Sequence, residues 1–78
     1  MVDPRYLSVL AWINRTNLLL APYGPVRRVT DPKGWKDWAR YVITLPALAA
    51  VNAPRPEGFE DWRRWALAFN LSAQALIS

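Results

Sequence analysis

Two stretches of this chain, Pro32-Lys33-Gly34-Trp35-Lys36-Asp37-Trp38 and Pro56-Glu57-Gly58-Phe59-Glu60-Asp61-Trp62, carry one pattern 24 positions apart. The pattern restricts the fold more than any other feature, because each part favours the start of a helix. Proline is tolerated at the first helical position, where its missing N–H would be unpaired anyway. The acidic groups Asp37, Glu57, Glu60 and Asp61 suit the positive end of a helix, and two rings three positions apart share one face. Each copy then runs into an uncharged stretch, residues 41–54 and 65–78. The pair reads as a duplicated aromatic helix opening with a charged entrance and an apolar exit.

Periodicity extends both copies. Trp35, Trp38, Val42, Leu45 and Ala49 recur at steps of three and four, as do Phe59, Trp62, Ala66, Phe69, Ala73 and Leu76. Asp3-Pro4 repeats the Asp-Pro opening of residues 31–32, and Tyr6, Leu10, Ile13 and Leu20, widened by Leu7 and Val9, follow it at helical spacing. The spacing predicts an all-α chain of three helices, over about residues 4–20, 32–51 and 56–77. Arg15-Thr16-Asn17 weakens the last turn of the first. Pro46 should kink the second or split it in two. Residues 21–31, with Pro22, Gly24 and Pro25, predict an extended arm. The short Pro-containing connection at 52–55 predicts an antiparallel hairpin of helices two and three. Residues 1–78 are expected to form one small domain, with 32–51 and 56–77 as diverged repeats.

A chain this short buries only roughly 60 to 65% of the surface its unfolded form exposes. Small scaffolds compensate with disulfides, metals or association, and this one has no Cys and no His. Its five Trp, three Tyr and two Phe can each bury about 150 to 250 Å². That ring surface is more than so small a body is expected to cover, which predicts stabilisation by assembly with other subunits.

The same inventory speaks against catalysis. Without His or Cys, a nucleophile and its base would have to be a Ser–Lys or a carboxylate–carboxylate pair. No Gly-rich phosphate cradle and no carboxylate run at metal spacing is present, so no enzyme, cofactor or metal is expected. Ten Lys and Arg against six Asp and Glu give a net charge of +4, too modest for a nucleic-acid signature. Arg27, Arg28, Lys33, Lys36 and Arg40 form the one basic patch, with Trp35 and Trp38 near enough in sequence to stack on bases; a solvated face accounts for it better. Asn14-Arg15-Thr16 and Asn70-Leu71-Ser72 match the glycosylation acceptor pattern. With no basic and apolar leader at the N-terminus, use without classical secretion is expected and both matches read as coincidence. Fourteen uncharged residues span about 21 Å as a helix, short of the roughly 30 Å hydrocarbon core.

Lys33 and Lys36 of the first copy are replaced by Glu57 and Glu60 in the second. Opposite charges at equivalent positions favour pairing of unlike repeats, within a chain or between copies. The residues expected to pack the bundle and its interface are Trp35, Trp38, Tyr41, Phe59, Trp62, Trp65 and Phe69. Arg63 and Arg64 are placed to meet acidic groups on a neighbour.

The stretch Pro56-Glu57-Gly58-Phe59-Glu60-Asp61-Trp62-Arg63-Arg64-Trp65-Ala66 resembles a Pro-x-x-Phe-x-Asp-Trp-x-x-Trp-Ala helix opening of small structural proteins and fibre or tail subunits of tailed bacteriophages. The first copy departs from it, with Tyr41 for the second Trp, Ala39 for an Arg, and Pro46 farther along. The resemblance implies a non-enzymatic accessory component of a virion, in capsid, neck, tail or fibre anchor. Such a component assembles in the host cytoplasm and docks onto other virion subunits, in several copies, through aromatic helix faces. A different class remains open, a small basic Trp-rich protein that acts at a membrane surface, with Trp at the interface.

Overall fold

Three α-helices and five short 3₁₀ turns make up the computed structural model, which describes residues 3–77; residues 1, 2 and 78 of the expected domain lie outside the described residues. The helices are α1 (Val9–Leu20), α2 (Trp35–Val42) and α3 (Trp62–Ile77), and no strand occurs among the described residues. The all-α reading holds.

Each helix differs from its expected length for a local reason. Asp3 caps a 3₁₀ turn, Pro4–Tyr6, by accepting from the Arg5 N–H at 2.9 Å, and Leu7 then turns extended. Ser8 supplies a second cap: its hydroxyl accepts from the Ala11 N–H at 3.2 Å, so α1 begins at Val9 rather than at residue 4. The Arg15-Thr16-Asn17 stretch does not shorten α1. Thr16 is fully buried and returns its hydroxyl to the Trp12 carbonyl at 2.8 Å.

Helical winding continues past α1 as the turn Ala21–Tyr23, with Pro22 at a tolerated position. The expected arm therefore starts later, at Gly24, whose φ of 150° is a region open to glycine. A Cβ there would also lie 3.3 Å from a Leu45 methyl. Asp31 caps the turn Pro32–Gly34, which passes directly into α2.

Pro46 splits the second segment rather than kinking it. The residue before a proline avoids the helical region, and Leu45 sits at ψ 135°. α2 closes at Val42, with a separate 3₁₀ turn at Pro46–Leu48. In the second repeat the turn Pro56–Gly58 is followed by extended Phe59, and Asp61 caps a new start by accepting from the Arg63 N–H at 3.0 Å. α3 thus begins at Trp62 instead of residue 56. The two repeats share their Pro-x-Gly turn and part company immediately after it.

α1 packs on α3, the turn Pro4–Tyr6 also lies on α3, and α2 lies on the turn Pro56–Gly58. The antiparallel hairpin of helices two and three is not among the pairings these contacts establish. At the centre stands Trp12, edge-on to Trp38 (5.5 Å between centroids), Trp65 (6.1 Å) and Phe69 (6.3 Å), and tilted against Trp62 at 6.0 Å. Trp65 stacks on Phe69 at 5.0 Å and meets Trp38 edge-on at 5.9 Å. Ile13, Leu20, Val42, Leu45 and Leu48 close the core, and fully buried Ala39, Ala66 and Ala73 leave volume for the indoles. The ring surplus expected from composition is largely absorbed, because edge-to-face rings serve as one another's apolar surroundings.

Candidate interaction site

The nine residues expected to pack the bundle and its interface divide into three groups by burial. Trp38, Trp65 and Phe69 are buried at 1% exposure or less and belong to the core. Trp35, Tyr41, Phe59 and Trp62 are half-buried against it, and Arg63 and Arg64 are exposed. Burying an indole leaves an N–H to satisfy. Trp38 donates to the Asn17 side-chain oxygen and Trp65 to the Pro54 carbonyl, both at 2.9 Å.

Three of the four half-buried rings carry cations. Arg63 lies 4.8 Å over Trp62 and donates to the Leu7 carbonyl at 3.3 Å, so it ties α3 to the segment before α1. Arg27 covers Tyr41 at 4.6 Å, and Lys36 lies 5.7 Å from the Trp35 centroid. Arg64 instead borders a groove of about 390 Å³ with Gly58, Phe59, Glu60 and Asp61. The surface part of the second repeat is thus an open aromatic floor flanked by one cation and two carboxylates.

Pairing of unlike repeats occurs within the chain, though not between the positions expected. Glu57 meets Arg40 at 2.6 Å, and the same guanidinium reaches Asp37 at 2.6 Å. The hydrogen bond from Arg40 holds the Glu57 carboxyl below the ordinary glutamate range, and Glu57 in turn raises Arg40. Arg5 does the same to Asp3. Among the described residues Arg15, Arg27, Arg28, Arg55, Arg63 and Arg64 form no ion pair. These unpaired guanidinium groups leave the basic excess at the surface.

Two residues that organise this surface escaped the sequence reading. Trp12 shares a face with Ile13, Thr16 and Leu20, and that spacing would have found it; Tyr6, chosen in its place, is 80% exposed. Asn17 looked like a helix-weakening residue. It accepts from Trp38 and donates to the Arg27 carbonyl at 2.7 Å, joining α1, α2 and the arm. Among the described residues no three His, Cys, Asp or Glu gather as a metal site would require. No family model, curated protein or solved structure matches the chain.

Proposed function

We propose that this protein is a non-enzymatic interaction module, an accessory component of a bacteriophage virion, which docks on a larger subunit through the groove at residues 58–64 and the neighbouring start of α3. The observation that carries the reading is how the phage-like motif divides. Trp65 and Ala66 are buried in the core, whereas Phe59 and Arg64 line an open groove and Arg63 is exposed. One half of the motif fixes the scaffold and the other half remains available for contact. Aromatic and Arg side chains are the types that dominate binding energy at protein interfaces.

The test is mass spectrometry of purified particles of the phage that encodes the chain, paired with sedimentation of the isolated protein in low and high salt. The reading expects the protein at a fixed stoichiometry in the particle and a salt-resistant assembly with its cognate subunit, weakened by Phe59→Ser and by Arg64→Glu. Its absence from particles would sink the proposal. Binding to anionic vesicles with a gain of helix, and no assembly, would favour the membrane-surface alternative. No helix among the described residues is long and apolar enough to cross a membrane.

A further inference from the structure

We propose that the arm of residues 25–30, with the groove between it and α1, captures an extended acidic segment of a partner protein. The segment would pair its main chain with outward-facing N–H groups of the arm and set a carboxylate against Arg28. This surface is separate from the Phe59–Arg64 groove and does not depend on where the protein assembles.

The main chain of the arm is fastened from one side only. The Pro25 carbonyl accepts from the Tyr41 hydroxyl at 2.7 Å and the Arg27 carbonyl from Asn17 Nδ2 at 2.7 Å. Acceptors two residues apart that face the body are the mark of extended chain, and the flanking Gly24 (φ 150°, ψ 174°) and Asp31 (φ −111°, ψ 123°) are open as well. Val26 and Val29 pack against the core. The N–H groups of Val26 through Thr30 donate to no group among the described residues. With the polar groups of residues 25 and 27 turned to the body, those of Val26, Arg28 and Thr30 face outward, and unpaired donors in such a row are a template for strand addition.

The groove beside it gives the occupant its chemistry. It encloses about 400 Å³ and is lined by Asn14, Asn17, Leu18, Val26 and Arg28. Leu18 is 77% exposed and, with Val26, gives the groove an apolar seat beside Asn14, Asn17 and Arg28. No carboxylate lines this groove; Asp31 and Asp37 line a separate cavity that Arg28 also borders. Among the described residues the guanidinium of Arg28 has no hydrogen-bond or ion-pair partner, so an incoming carboxylate meets an unpaired bidentate donor. A second copy of the arm would instead bring Arg27 and Arg28 against themselves, and like charges oppose that pairing. Base stacking is disfavoured because the Tyr41 ring beside the arm is already covered by Arg27.

The experiment is an amide-resolved NMR titration of the full chain with a blocked eight-residue peptide of alternating glutamate and threonine around one central leucine, and with the same peptide carrying lysine for glutamate. The acidic peptide should shift the amides of residues 26–30 and Leu18 and slow their hydrogen exchange, while the basic one leaves them unmoved. Arg28→Glu should weaken binding by about tenfold or more, and Leu18→Asn by severalfold; both residues are exposed, so unchanged circular dichroism is expected of each variant. Equal response to the two peptides, shifts centred away from the arm, or indifference to Arg28→Glu would overturn the proposal. So would an arm-dependent dimer lost in Arg28→Glu, or a single-stranded oligonucleotide that moves the same amides more strongly than the peptide.

Discussion

Asn17 and Trp38 hold each other in place: the indole N–H donates to the amide oxygen at 2.9 Å, while the same amide donates its own hydrogen to Arg27 of the arm. One side chain therefore satisfies a buried ring and pins an otherwise irregular segment. Replacing it with Ala should leave the Trp38 N–H without its acceptor, at a cost of about 1 to 3 kcal/mol. Urea denaturation should show that loss, and the amide chemical shifts of residues 26–30 should move as the arm loses its anchor. Unchanged shifts there would mean that the arm is held by Val26, Val29 and Tyr41 alone.

Trp12 is the hub of the core, within ring contact of Trp38, Trp62, Trp65 and Phe69. Truncation of a buried Trp to Ala costs about 3 to 5 kcal/mol, a large share of the roughly 5 to 15 kcal/mol that holds a small domain folded. Trp12→Ala should lose its cooperative thermal transition by circular dichroism. Tyr6→Ala, at an 80% exposed ring, should stay within about 0.5 kcal/mol of the parent. Equal effects of the two would contradict the hub assignment.

Gly24 combines a φ of 150° with a Leu45 methyl 3.3 Å from where a Cβ would stand. Gly24→Ala should destabilise by about 1 to 3 kcal/mol, since that backbone region is nearly closed to other residues. A chemical denaturation midpoint equal to the parent's would show that the turn can rearrange.

The Arg40–Glu57 pair makes stability depend on acid in one direction. Hydrogen bonding to Arg40 places the folded-state pKa of Glu57 below its unfolded value, so the unfolded chain binds more protons in the window between the two. The contribution is fully present above about pH 5 and is lost as pH falls through the depressed folded value. Glu57→Gln should flatten the fall in melting temperature below pH 5 and leave the slope above it unaltered. Because both groups are exposed, the effect should shrink in high salt. A parent and variant with parallel acid limbs would assign the acid sensitivity to other carboxylates.

Much of the backbone plan could be read from local chemistry. Proline at a first helical position and a carboxylate just before it act within one turn, so Asp3-Pro4 and Asp31-Pro32 announced their helical turns correctly. Pro46 announced a break. Ser8 and Asp61 were harder, since each competes as a cap with a stronger proline signal a few residues upstream, and both times the later cap set where the α-helix begins. How the nine candidate side chains divide between core and surface was hidden. That division depends on which rings meet across the chain.

The sequence by itself determined the all-α class, the turns at Pro32 and Pro56, and the charged entrances with apolar exits, because these rest on interactions within a few residues. Only the tertiary structure decided that Trp12 sits at the centre, that Asn17 links α1, α2 and the arm, and that Glu57 pairs with Arg40 of the other repeat. Those contacts join residues 17 or more positions apart or from separate elements, and no local pattern specifies them. The rings shelter one another because three separate segments bring them edge to face, a geometry that exists only once the chain has closed.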